Sequence, residues 1–147
     1  MNSQKILEIK QKAKDVFGYN FVNLGFGGSC ILKEEPNDID IILILHDFYK
    51  SQISEFIERC KLNISPCIIT DFQADNLSLW PTKALSMASK HMIWTEKEII
   101  VPREVLREVT KKNLQSDIYY IERKLINGEL SYEKAFNFLR QAIIICQ

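Results

Sequence analysis

The chain has 147 residues, 46% of them hydrophobic and 26% charged, a composition that suits one globular domain burying about two thirds of its unfolded surface. Its 19 basic residues balance 19 acidic ones, so no bulk electrostatic attraction draws it to nucleic acid or a membrane surface. No apolar run approaches spanning length, and four scattered cysteines without a Cys-x-x-Cys suggest neither zinc nor a disulfide framework; a reduced, cytoplasmic setting is expected.

In chain order, Ile6, Ile9, Ala13, Val16 and Phe17 predict a helix over residues 3–17, with Ser3 as its N-cap and Gly18 as its stop. A short strand is expected over 20–26, then a Gly27-Gly28-Ser29 turn, then a strong strand over 39–45. Asp47 reads as the cap of a helix running to about Cys60 with Ile53, Phe56 and Ile57 on one face. Residues 65–72 predict a strand started by Pro66, residues 82–90 a short helix behind Pro81, and residues 91–94 a brief edge strand. Beyond Pro102 the pattern is helical: one helix over 103–126, with Val105, Val109, Ile118, Ile121 and Leu125 as apolar contacts, is stopped by Asn127-Gly128. A second starts at Ser131 and turns Ala135, Phe138, Leu139 and Ala142 inward. The fold class is therefore α+β, a small mixed sheet with helices packed on it and a helical C-terminal layer.

Asp38 and Asp40 interrupt the most strand-like stretch of the chain. Alternation puts both on one face, roughly 6–7 Å apart, where two carboxylates repel by roughly 3 kcal/mol at an effective dielectric near 20. A lysine or arginine would offset that cost; so would a hard divalent ion. An Asp-x-Asp alone is a weak signal, since Asp38 also suits the turn after Pro36-Asn37. Gly27-Gly28-Ser29 is likewise either a hairpin turn or a cradle for phosphates, and it is neither a dinucleotide fingerprint nor a Walker A loop.

Glycine turn and acidic pair together, eight residues apart, are more specific than either. Phe26, Gly28 and Ser29, followed by Asp38-Ile39-Asp40-Ile41, resemble the signature of the DNA polymerase β-like nucleotidyltransferase superfamily. The specific match covers about twenty residues, and the order of elements extends it over residues 3–75. The resemblance implies a sheet of that type with residues 1–100 as the catalytic core; the C-terminal helices match only in general character, and residues 101–147 are expected to be a helical extension packed on the same domain. It also implies a third carboxylate on a later strand: Asp71 is the candidate and Asp75 its competitor. Asp38, Asp40 and Asp71 would then hold two magnesium ions, and Gly27, Gly28, Ser29 and Lys33 the phosphates of a nucleoside triphosphate. The loop from Cys30 to Asn37 is short for the superfamily, with Lys33 its only cation.

The implied activity is magnesium-dependent transfer of a nucleoside monophosphate to a hydroxyl on a protein, an RNA or a small molecule, antitoxin-like or dependent on a partner. The alternative is a catalytically degenerate member of the same fold that binds or scaffolds. The basic residues after Arg103 are interleaved with acids, as on a solvated helix face, so nucleic acid is not the favoured partner. Phe136, Ile143, Ile144 and Ile145 give the last helix more apolar surface than one packed face needs, and a homo-oligomer through the C-terminal helices is one use for it.

Overall fold

The computed structural model describes residues 1–33 and 36–147. The chain divides into two compact units, Met1–Ile100 and Val101–Gln147. Among the described residues the fold is α+β, a mixed four-stranded sheet with six α-helices, and no helix is long and apolar enough to cross a membrane.

The first unit opens with helix α1 (Ser3–Phe17), then strands β1 (Phe21–Gly27) and β2 (Ile39–Leu45), helix α2 (Lys50–Cys60) and strand β3 (Ile64–Thr70). One turn of helix α3 (Asp71–Ala74), helix α4 (Thr82–Ala88) and the two-residue strand β4 (Ile93–Trp94) complete it. The sheet order is β3-β2-β1-β4. β1 is antiparallel to β2 and to β4, whereas β2 and β3 are parallel. Parallel neighbours need a crossover, and α2 supplies it.

Alternation along β2 gives the sheet two apolar faces. Ile39, Ile41, Leu43 and Leu45 join Ile9, Ala13 and Phe17 of α1 and Phe56 and Cys60 of α2 in the main core, with the Phe17 and Phe56 rings 5.4 Å apart. The intervening Ile42 and Ile44 are buried on the opposite face, together with Ile69 of β3 in register with Ile44. Trp80 and the α4 residues Ala84 and Leu85 are also buried. Gly25 lies on that face opposite Trp94, and a Cβ on Gly25 would come within 2.7 Å of the indole ring carbons. The missing side chain is the space the tryptophan fills.

Two helix starts differ from expectation. Asn2, not Ser3, caps α1: its Oδ1 accepts from the Lys5 N–H at 2.9 Å. Asp47 does not cap α2, which begins at Lys50 without a side-chain cap. Its backbone is held instead by buried Asn20, whose Oδ1 accepts the Asp47 N–H at 2.6 Å and whose Nδ2 donates to the Asp47 carbonyl at 2.8 Å. Pro66 sits inside β3 rather than at its start; β3 is an edge strand, where a missing N–H breaks no ladder.

The second unit is helix α5 (Arg103–Ile126) joined to helix α6 (Tyr132–Cys146) by a turn with Gly128 at φ 70°. Ser131 caps α6, its Oγ accepting from the Lys134 N–H. Burial in α5 falls on Leu106, Val109, Thr110 and Ile121, while Ile118 is exposed. In α6 only Ala135 and Ala142 are buried; Phe138, expected inside, is exposed, and Leu139 is half-buried.

Candidate functional site at the glycine turn

β1 ends where β2 begins, so the antiparallel register sets Gly27 opposite Asp40. Gly28–Ile31 then forms one turn of 3-10 helix, closed by the Leu32 and Lys33 N–H groups donating to the Ser29 carbonyl. Gly28 has φ 70°, and a Cβ there would lie 2.9 Å from Asp40 Oδ2. The left-handed backbone favours glycine, and a side chain there would also have to displace the carboxylate resting against it. Gly28 and Ser29 are exposed, and so is Lys33 at the end of the turn. Beneath them Cys30 is buried, its thiol donating to the Gly27 carbonyl at 2.9 Å. Burial raises the thiol's pKa, and the neighbouring charges of Asp40 and Asp38 push it further. Such a sulfur is a packing group and not a nucleophile.

Asp38 is exposed in the bend before β2, and Asp40 is half-buried on the face it shares with Ile42 and Ile44. The cation that offsets Asp40 comes from α4: Lys83 Nζ lies 3.7 Å from Asp40 Oδ1, in a pair with both partners open to water. Lys83 was not among the sequence candidates, because nothing local to residues 81–88 shows which strand end α4 overlies.

Asp71 lies elsewhere. The parallel register pairs Asp40 with Ser65 and Leu45 with Thr70, so Asp71 follows the far end of β3. Six residue steps lead from Ser65 to Asp71, about 20 Å at the usual strand rise. There Asp71 Oδ2 meets His46 Nδ1 at 2.5 Å and Oδ1 accepts the Phe72 N–H at 2.7 Å. The hydrogen bond from His46, followed by that from Phe72, holds the Asp71 carboxyl below its ordinary range. Asp75 ends α3, one turn further on. The structure therefore brings Gly27, Gly28, Ser29, Asp38, Asp40 and Lys83 to one end of the sheet and leaves Asp71 and Asp75 at the other. Among the described residues no three His, Cys, Asp or Glu side chains converge as a metal cluster.

What this end offers is a pair of anionic oxygen donors, a turn without side-chain obstruction, a hydroxyl and an exposed ammonium. Such a set can hold a polyphosphate together with its counterion. No protein-family model matches the chain, and no curated protein is significantly similar to it.

Proposed function

We propose that the chain is a small nucleotidyltransferase of the polymerase β-like type, binding a nucleoside triphosphate with magnesium at the Gly28 turn. The single observation that carries this reading is the seating of the Asp40 carboxylate against Gly28, which joins the acidic pair and the glycine turn at one end of one hairpin. Magnesium is often held by one or two carboxylates, with phosphates and water completing its octahedron, and Asp38 and Asp40 fit that ligand set. When bound, the metal neutralises phosphate charge and polarises the α-phosphorus.

The chain's own residues have the remaining work. Backbone N–H groups of Gly28 and Ser29, at the start of the one-turn helix, would receive the β- and γ-phosphates together with the Ser29 hydroxyl. Lys83, paired with Asp40 in the free protein, has the reach to follow the negative charge onto the departing pyrophosphate. An acceptor hydroxyl oxygen bonds to the α-phosphorus as the bond to pyrophosphate breaks. The hydroxyl proton passes to water or to a group on the acceptor, since Asp71 is too distant to receive it.

Ser65 at the position opposite Asp40 favours one second reading: nucleotide binding without turnover. Incubation with α-labelled nucleoside triphosphates, magnesium and a lysate of the source organism separates the two. Transfer of label to a protein, RNA or small molecule, lost in Asp38→Ala and Asp40→Ala, supports the transferase. Magnesium-dependent nucleotide binding without label transfer supports the binding protein, and absence of both removes the reading altogether.

A further inference from the structure

Helix α6 carries a second apolar face beyond its buried alanines. Tyr132, Phe136, Leu139, Ile143 and Cys146 follow one another at spacings of four, three, four and three residues, the a/d pattern of a coiled-coil seam. Tyr132 is 85% exposed, Phe136 66% and Ile143 56%, while Leu139 and Cys146 are half-buried. Ala135 and Ala142, the buried residues of the helix, sit beside this seam at g positions. The charges flanking the other side are Glu133 and Arg140, both at e positions.

We propose that α6 is a self-association surface, pairing antiparallel with α6 of a second copy about a two-fold axis. Antiparallel seams stack a residues on d residues, so Phe136 meets Leu139 of the second copy and Tyr132 meets Ile143 of the second copy. In this register e faces e, and Glu133 of each copy falls opposite Arg140 of the other, an ion pair made twice by symmetry. A parallel pairing would set Arg140 against Ala135 and leave Glu133 unmatched within the helix, so the charge pattern selects the antiparallel partner. The occupant is a second copy because one helix supplies both halves of a self-complementary surface.

Sedimentation equilibrium of the full chain across the micromolar range tests this. The wild type is expected to dimerise. Glu133→Arg and Arg140→Glu, each placing like charges opposite one another twice, should raise the dimer Kd at least about tenfold. The double variant Glu133→Arg/Arg140→Glu should return it to near the wild-type value. Both positions are solvent-facing, and unchanged far-ultraviolet dichroism in each variant shows that the helix is intact. A monomeric wild type, single variants that dimerise as the wild type does, or a double variant no better than the singles would each overturn the proposal.

Discussion

Across the parallel β2–β3 ladder the residue opposite Asp40 is Ser65. Adjacent strands are about 4.8 Å apart, so a carboxylate at position 65 would share a face and a metal with Asp40. Ser65→Asp is expected to tighten magnesium binding at least about tenfold in calorimetric titration, about 1.4 kcal/mol, at some cost in stability without the metal. Asp40→Asn should weaken magnesium-nucleotide binding by a similar factor, and Asp71→Asn should leave it unchanged. An effect of Asp71→Asn as large as that of Asp40→Asn would place the nucleotide at the other end of the sheet.

Gly28→Ala meets two obstacles, the positive φ and the Asp40 carboxylate. The backbone alone costs about 1–2 kcal/mol for an L-residue. The carboxylate adds to this, and the added part should vanish in an Asp40→Ala background. Denaturant titration of the four proteins in this cycle measures the coupling directly. Zero coupling would mean that Asp40 does not rest on the turn.

Gly25→Ala should destabilise the first unit by about 1–3 kcal/mol, because its methyl group enters the space of the Trp94 ring. In a Trp94→Ala protein the same substitution should cost markedly less. Equal costs in the two backgrounds would show that the indole is not what fills the Gly25 gap.

The His46–Asp71 contact makes a pH-dependent contribution of known sign. The folded Asp71 carboxyl ionises below its ordinary value of 3.8, so the unfolded chain binds that proton more readily than the folded one. The contribution is complete above 3.8 and is lost as pH falls through the lower folded value. Carbon-detected NMR titration of Asp71 should give that depressed value, and His46→Ala should move it upward. An unmoved Asp71 titration would leave the backbone N–H groups, that of Phe72 first, as the cause.

Much of this architecture was legible in the chain itself. Strand β2 stands out as a continuous Ile/Leu run, and α5 is bracketed by Pro102 and Asn127-Gly128 with the bounds the structure shows. The glycine turn and Asp38-Ile39-Asp40 could be read as neighbours because a short loop joins antiparallel strands. Asp71 could not be placed the same way. The apolar run of β3 that precedes it is visible in the sequence, but its distance from Asp40 depends on β3 running parallel to β2, so that the start of one strand faces the start of the other. Lys83 is hidden for a similar reason, since an α4 residue reaches Asp40 only through tertiary packing. The two misplaced caps have different reasons: Asn2 and Ser3 are both good N-cap residues, whereas α2 starts three residues beyond Asp47, whose backbone is held by the buried amide of Asn20.

The sheet's two borders also govern how copies of this protein can meet. β4 is two residues long, and β3 carries Pro66, which has no N–H to offer an incoming strand. Both are devices that stop sheets from growing sideways into fibres. Strand-to-strand stacking between molecules is therefore disfavoured at both rims, even though β2 is one of the most aggregation-prone stretches in the chain. Concentrated solutions of the folded protein should stay free of thioflavin-positive material, and Pro66→Val is the substitution that would open the rim.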